Sequence, residues 1–255
     1  MKTILDAKNV YKVFGNSNDG ETTILKGVDL QIKDGEFVAI MGHSGSGKST
    51  LLYNISGMDR LTSGNVLYDG NDISSLSDKQ ISEVRLHNMG FIFQHSHLLK
   101  ILSIKENIML PALKAKKKSR DEILNDTEEL MQKVGIESIS EHDITKVSGG
   151  QLQRAAICRA LINNPNIIFG DEPTGALNSR ASREVMDILN EINHNGTTLL
   201  IVTHDSKIAA RAERVIYLSD GNIEDEYKLG KYDGKQESLI KREDEMSKWL
   251  KARGF

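Results

Sequence analysis

Short apolar runs separated by glycine turns dominate the first part of the chain and predict β-strands. Three of these stretches are short, mixed and β-like, namely residues 5–14, 26–32 and 65–68. Between them, the turn signal Asp34-Gly35 leads into Phe37–Met41, which is apolar on both faces. A strand that is buried on both faces is typical of the centre of a parallel sheet. The pattern therefore predicts three short strands, with a buried parallel strand between the second and the third.

The pattern becomes helical after a second buried strand at residues 90–94, which ends in the polar Gln94. Ser119 and Glu122 have the spacing of a capping box at the start of a helix. Apolar residues then recur at helical spacing: Ile123, Leu124, Leu130, Met131 and Val134. We therefore expect a helical subdomain, over about residues 95–160, inserted into an α/β core.

Beyond residue 150 helices and strands alternate again. The predicted elements are a helix at 151–163, a strand at 167–169, a helix with Val185, Ile188, Leu189 and Ile192 on one face, a strand at 198–202 and a hairpin of 214–218 with 222–226. From Tyr227 onward the chain is highly charged and is predicted to form a loose helix or a tail. The apolar residues near its end are Met246, Trp249, Leu250 and Phe255. A frayed or packing helix and a helix that binds a partner are both consistent with this pattern.

Composition and charge narrow the classes of function. A chain of 255 residues can bury the core of one large α/β domain, and its net charge of −3 supplies no basic field for nucleic acid. Cys158 is the only cysteine, so it forms no internal disulfide and is expected to pack a helix. The longest apolar runs, 37–41 and 199–202, are far shorter than the roughly 20 residues of a membrane span. We expect a soluble chain that, if it serves transport, relies on another chain for the membrane path.

A glycine-rich loop, residues 42–49, connects the buried strand 37–41 to a predicted helix at about 48–56. Glycines let backbone N–H groups converge on phosphate oxygens, and the helix adds its N-terminal dipole. Lys48 can reach the β- and γ-phosphates, and the Ser49 hydroxyl can bind Mg²⁺. The predicted nucleotide-binding residues of this phosphate loop are Gly42, Ser44, Gly45, Ser46, Gly47, Lys48, Ser49 and Thr50. The alternative is a glycine-rich turn before a helix, which the flanking elements disfavour.

Two acids, Asp171 and Glu172, stand at the end of the predicted strand 167–169. The carboxyl ends of parallel strands face the ligand crevice of an α/β sheet. Asp171 is therefore predicted to hold Mg²⁺ through water, and Glu172 to take a proton from attacking water. In isolation, a pair of solvated acids would be a good interpretation, but the residues that follow, 173–177, disfavour it.

A third motif, Ser148-Gly149-Gly150-Gln151, stands about a hundred residues after the phosphate loop and shortly before the two acids. With the three motifs in this order, residues 1–226 resemble the nucleotide-binding subunits of ATP-binding cassette (ABC) transporters. The resemblance implies an α/β fold with a RecA-like P-loop NTPase core, an N-terminal antiparallel β part and the inserted helical subdomain. Residues 227–255 would form a charged C-terminal extension.

The resemblance also implies roles for further residues. Phe14 falls where an aromatic ring stacks on adenine, although Tyr11 or an ordinary strand role competes with it. Gln94 falls where a glutamine senses Mg²⁺ and the γ-phosphate and contacts the permease. The signature, residues 148–151, would bind the γ-phosphate held by a second protomer, and His204 matches a switch histidine that contacts the γ-phosphate. The implied catalytic set is Glu172, His204 and Gln94, and the implied Mg²⁺ set is Ser49, Gln94 and Asp171.

As a function, the resemblance implies ATP hydrolysis by a homodimer that forms on ATP, with ATP and Mg²⁺ as cofactors. This dimer would drive an integral-membrane permease from the cytoplasmic, inner face of the cell membrane, and it would bind no nucleic acid. Residues 35–41, 90–94 and 105–108 are similar to the branch of lipoprotein-release, macrolide-export and bacitracin-type peptide-resistance systems. That likeness implies export of, or resistance to, antimicrobial peptides or lipophilic compounds.

Other classes of ABC protein are the alternatives. A soluble ATPase of DNA repair would carry a long coiled coil between Gln94 and Ser148, but only about fifty residues without sustained heptads separate them. A ribosome-associated factor would join two cassettes in one chain, whereas this chain carries one set of motifs. A catalytically silent cassette would not be expected to keep Lys48, Glu172 and His204 together.

Asn178 departs from the family pattern, in which the loop 175–178 ends in an aspartate that helps to couple the two ATP sites. Asparagine keeps the shape and can cap the next helix, but it loses the charge. We expect Asn178→Asp to raise ATPase activity or its cooperativity, measured as steady-state rates against ATP concentration. Identical kinetics for the two forms would contradict altered coupling and would mean that asparagine at 178 replaces aspartate only as a helix cap.

Overall fold

The computed structural model describes residues 2–15 and 20–254. Its strands are β1 (Thr3–Phe14), β2 (Thr22–Lys33), β3 (Phe37–Met41), β4 (Ser63–Tyr68), β5 (Asn71–Asp72), β6 (Met89–Phe93), β7 (Ile167–Asp171), β8 (Thr198–Val202), β9 (Arg214–Ser219) and β10 (Asn222–Lys228). Its helices are α1 (Lys48–Ile55), α2 (Asp78–Asn88), α3 (Ile104–Ala115), α4 (Arg120–Lys133), α5 (Gly149–Leu161), α6 (Ser179–His194), α7 (Ser206–Ala209) and α8 (Gln236–Lys251). The chain divides into two compact units, one made of residues before 82 and after 197, and the other of residues 82–197.

The first unit combines an antiparallel sheet with strands of a parallel sheet. The antiparallel sheet has the order β2-β1-β4-β5. Strand β3 lies in parallel register between β8 and β9, with Ile40 opposite both Val202 and Ile216. Every residue of β3 and β8 is buried, which is why both read as continuous apolar runs. The predicted parallel core strand is confirmed, and the strands before it form the antiparallel part that the resemblance implied.

The C-terminal segment is a packed helix rather than a loose tail. Helix α8 follows the β9–β10 hairpin and contacts α7. Its buried side chains recur at helical spacing: Leu239, Arg242, Met246 and Leu250. The segment after residue 227 thus contains a helix with one buried face. Phe255, the last apolar residue of the predicted tail, lies outside the described residues.

The second unit contains the parallel pair β6 and β7 together with α3, α4, α5 and α6. Buried side chains of its helices form one core, which includes Ile104, Ile108, Ile123, Met131, Ala155 and Cys158. Burial raises the pKa of the Cys158 thiol to about 12, so this cysteine is a packing residue, as expected. The capping box of Ser119 and Glu122 is present at the start of α4. The predicted helical subdomain of residues 95–160 falls inside this unit, which also includes β6, β7 and α6.

A buried ion pair joins the hairpin to the turn before β3. Arg214 Nε and Nη2 donate to the two carboxylate oxygens of Glu36 at 2.7 and 3.0 Å, and Nη2 also donates to the carbonyl oxygen of Gln31 at 2.6 Å. The two charged side chains are only 11% and 8% exposed. Removal of one partner from such a pair leaves the other charge buried without compensation.

We expect Arg214→Met to lower the free energy of unfolding by about 3 kcal/mol, since the Glu36 carboxylate stays buried. Arg180→Met is the matched control, because Arg180 pairs with Glu184 on the exposed face of α6. Loss of this exposed pair should lower the free energy of unfolding by less than about 0.5 kcal/mol. Urea denaturation of the two variants measures both values, and equal small shifts would contradict a structural role for the buried pair.

Candidate functional site

The phosphate loop leaves the end of β3 and enters α1 in a conformation that requires glycine. Gly42 has φ +151°, and a Cβ there would stand 2.0 Å from the carbonyl oxygen of Leu218 in β9. Gly47 is the N-cap of α1 with φ +100°, so no side chain caps this helix. By contrast, side chains cap α3, α4, α5 and α6. The start of α1 is therefore suited to an external anion.

The side chains of the loop fit a phosphate group. The Ser46 hydroxyl oxygen is buried and has no hydrogen-bond partner among the described residues. Lys48 Nζ is turned into the loop, where it donates to the carbonyl oxygens of Gly42 and His43 at 2.8 and 2.7 Å. Beside Gly45, with φ +81°, a Cβ would meet nothing within 4 Å, so the loop is open there. A buried hydroxyl, an ammonium group and an uncapped helix start are the donors that phosphate oxygens accept from.

Two further predicted residues belong to the same unit as the loop. His204 stands two residues after the end of β8, the parallel neighbour of β3, so it leaves the sheet at the same edge as the phosphate loop. It is exposed, whereas Thr203 before it is buried and donates its backbone N–H to the Ile40 carbonyl at 3.1 Å. Phe14 ends β1 with 47% of its surface exposed and the Lys12 ammonium 4.7 Å from its ring centre. An exposed ring of this kind is available for stacking.

The second unit brings Gln94 and Glu172 together. Strands β6 and β7 run in parallel with Phe93 opposite Asp171, so the residues that follow them leave the same edge. The point where a Cβ on Gly175 would stand is 3.0 Å from both Gln94 Nε2 and Glu172 Oε2. The ends of the two side chains therefore both lie close to Gly175, where a larger residue would have to displace them.

Glu172 has a strained backbone. Its φ is +47°, the left-handed region, and proline follows it at 173. A residue other than glycine costs on the order of 1–3 kcal/mol in such a conformation, and such strain persists where the surroundings determine it. The turn is closed by the Gly175 N–H, which donates to the Glu172 carbonyl at 3.0 Å. Strain at the predicted general base is consistent with a functional position.

Gln153 is a residue of this site that sequence reasoning missed. Its side chain is 3% exposed, and Nε2 donates to the carbonyl oxygens of Phe93 at 3.0 Å and Pro173 at 2.6 Å. Phe93 directly precedes Gln94, and Pro173 directly follows Glu172. One amide group of α5 therefore fixes both predicted residues. The signal in the sequence is a polar side chain among the buried residues of α5, which are otherwise Ala155, Ala156, Ile157 and Cys158.

The signature forms the exposed start of α5. The Ser148 hydroxyl accepts from the Gln151 N–H at 3.3 Å, and the Gln151 side chain accepts from the Ser148 N–H at 2.9 Å. Ser148 and Gly149 are exposed. A Cβ on Gly150 would stand 3.1 Å from the Cβ of Ala181 in α6. Gly150 thus lets α6 pack closely on one side, while Ser148 and Gly149 stay exposed.

The predicted Mg²⁺ ligands are distributed over both units, with Ser49 in the first and Gln94 and Asp171 in the second. In the part of the chain that the structure describes, no three His, Cys, Asp or Glu residues are grouped as a metal cluster. A nucleotide-bound Mg²⁺ does not require such a cluster, since phosphate oxygens and water supply most of its ligands. Across residues 2–15 and 20–254, no helix combines the length and apolarity needed to cross a bilayer.

Comparisons with known proteins agree with these motifs. A family model described as ABC transporter matches residues 25–175. The macrolide export ATP-binding/permease protein MacB of Pasteurella multocida is 41% identical over 220 residues, covering 86% of this chain and 34% of that protein. Its namesake in Escherichia coli is 44% identical over 223 residues, 88% of this chain and 34% of that protein. This chain thus spans about a third of the length of these curated relatives.

Among solved structures, the chain is similar to the ATP-binding cassette MJ0796, described as a dimer in a post-hydrolysis state bound to ADP and Pi. The TM-score is 0.83 at 40% identity, over 89% of this chain and 100% of that one. This likeness confirms the predicted fold class. The chain therefore belongs to the ABC transporter family and is an ATP-binding cassette ATPase.

Proposed function

We propose that two copies of this cassette close on ATP and drive a separate membrane permease from the cytoplasmic face of the membrane. The observation that carries this proposal is the position of Gln94. Its side chain lies beside Glu172, and the loop that it begins leads to exposed apolar residues. A change at the reacting phosphate can therefore reach a docking surface through one short segment.

Each predicted residue has a role in hydrolysis. Lys48 balances charge on the β- and γ-phosphates, and Glu172 accepts a proton from the attacking water. His204 donates to the γ-phosphate from the edge of the sheet that carries the phosphate loop. The exposed ring of Phe14 stacks on adenine. Ser49, Gln94 and Asp171 would hold Mg²⁺, which neutralises phosphate charge when it is bound.

Dimerisation is supported by the exposed signature. Residues 148–151 lie at the start of a helix, where backbone N–H groups and the dipole favour an anion. In a twofold arrangement, each signature would meet the γ-phosphate on the phosphate loop of the other copy. The cassette MJ0796 is itself described as a dimer. ATP would then join the copies, and hydrolysis would release them.

A docking surface for the permease follows Gln94. Exposed large apolar side chains of this region are Leu99, Ile101, Leu110 and Leu113, and Ile101 is 91% exposed. The loop between β6 and α3 is held in place by Asn107, whose buried side chain makes hydrogen bonds with the backbone of residues 99, 102 and 103. Arg159 also donates to the carbonyls of Ser96 and His97 at 2.7 and 2.8 Å. A rigid apolar surface of this kind is typical of a protein interface.

The names of the curated relatives bear on the substrate class. The curated relatives are named macrolide export proteins, and this favours export of a lipophilic compound. Antimicrobial peptides are the alternative substrate. The alternative, a soluble ATPase of DNA repair, is disfavoured. Between Gln94 and the signature the chain forms two short helices, α3 and α4, that pack on a common core instead of a long coiled coil.

We expect Glu172→Gln to slow ATP hydrolysis by roughly 10²-fold or more while ATP still binds, because the amide cannot accept the proton. Lys48→Ala should instead lose nucleotide binding, since the ammonium group that meets the phosphates is gone. Phosphate-release rates and calorimetric binding curves separate the two effects. Near-normal turnover of Glu172→Gln would refute the general-base role, and unchanged ATP affinity of Lys48→Ala would refute the role of the lysine.

Affinity purification tests the permease. Tagged Glu172→Gln protein is isolated with ATP from gently solubilised native cells, and its partners are identified by mass spectrometry. We expect a stoichiometric multi-span membrane protein, lost when Ile101→Asp is added because a charge then enters the apolar interface. Ile240→Asp is the matched control, an exposed isoleucine on α8 that should leave the partner bound. Soluble partners alone, such as ribosomal or DNA-processing proteins, would overturn the transporter proposal.

A further inference from the structure

Helix α8 is attached to both ends of the β9–β10 hairpin by one side chain. The buried guanidinium of Arg242 donates to the carbonyl oxygens of Ala210 and Ala212, before β9, at 2.7 and 2.6 Å. It also donates to those of Leu229 and Gly230, after β10, both at 3.0 Å. A charged donor with four carbonyl partners fixes two chain segments at once. Helix α8 therefore closes the open end of the hairpin.

The last turns of α8 pack on the hairpin through aromatic rings. The Trp249 ring centre lies 6.1 Å from that of Tyr217 in β9 and 5.5 Å from that of Tyr227 in β10. The Arg253 guanidinium lies over the indole, 4.1 Å from its centre, and pairs with Asp225 in β10. One edge-to-face ring pair, one tilted ring pair and a nearby cation make this a specific contact.

The same hairpin contacts the phosphate loop directly. The Gly221 N–H, in the turn between β9 and β10, donates to the Ser46 carbonyl at 3.1 Å. The ring of Tyr217 lies 6.3 Å from that of His43, centre to centre and nearly perpendicular. Tyr217 is 1% exposed, and it touches the loop through His43 and α8 through Trp249. The hairpin is thus the connection between the C-terminal helix and the nucleotide site.

We propose that α8 sets the affinity of the phosphate loop for ATP by bracing the hairpin, with Trp249 and Tyr217 as positioning residues. Without the brace, the hairpin and the loop bonded to it sample other arrangements, and the apparent Kd rises as the competent fraction falls. The match to the family model ends at residue 175, so α8 lies outside it. The inference rests on nucleotide binding by the loop, which is part of the proposed function.

The test compares ATP binding to variants of the full chain by calorimetry, with Mg²⁺ omitted so that hydrolysis does not interfere. Trp249→Ala removes the contact with Tyr217 and should weaken binding roughly 3- to 10-fold, the loss expected from a pair of aromatic contacts. Trp249→Phe retains a ring and should restore affinity to within about twofold. With Mg²⁺ present, Trp249→Ala should raise KM for ATP and leave kcat within about twofold, because Glu172 and Gln94 are unchanged.

Leu239→Ala is the matched control, since Leu239 is buried in the first half of α8 away from the aromatic contact. It should lower the melting temperature as Trp249→Ala does, with ATP affinity near that of the wild type. An unchanged Kd for Trp249→Ala, or an equal rise for Leu239→Ala, would overturn the proposal. If Trp249→Ala does not fold, Arg253→Ala replaces it, with a rise of roughly two- to threefold expected and an unchanged Kd again refuting the brace. A wild-type chain that binds no ATP would overturn the function of the loop as well.

Discussion

The nucleotide-binding unit depends on backbone packed against backbone around the phosphate loop. A Cβ on Gly42 would stand 2.0 Å from the Leu218 carbonyl oxygen, and a Cβ on Gly221 would stand 2.2 Å from that of Ile24. Contacts this short leave room for glycine alone, so steric exclusion fixes the shape of the loop. A loop fixed in this way presents its donors before phosphate arrives, and binding then requires little ordering. The parallel strands beneath it serve to hold these backbone contacts in register.

The two helices that would meet ATP begin in different ways. Helix α1 starts at Gly47 without a side-chain cap, whereas α5 starts with a capping box between Ser148 and Gln151. Helix starts leave N–H groups that need an acceptor. In α1 the nucleotide of the same chain can supply it, whereas in α5 the capping box already satisfies the N–H groups of Ser148 and Gln151 when no second copy is present. A dimer that forms and separates in each cycle needs surfaces that are stable in both states, and the capping box provides this at the signature.

The sequence predicted the elements better than the contacts that tie them together. Strand β8 was predicted with its observed ends, and the phosphate loop, the capping box of α4 and the terminal hairpin were recognised because each depends on residues close together in the chain. The partners of Gln153 and Arg242 are backbone carbonyls 12 to 60 residues away, and any residue type supplies a carbonyl. No local pattern therefore reveals them. The packing of the C-terminal segment is not evident from the sequence for the same reason. Charged residues surround the four buried positions of α8, and one of these four is itself an arginine, Arg242.

Helix α5 connects the exposed signature to the predicted chemistry. Its first turn carries Ser148 and Gly149, and less than two turns later Gln153 bonds the backbone beside Gln94 and Glu172. A helix this short moves as a rigid body, so displacement of the signature shifts both bonds of the Gln153 amide. In the proposed dimer, the nucleotide of the second copy would press on the signature and so adjust the general base in the same chain. Each site would then be tuned by the nucleotide on the opposite copy, with one amide group as the link.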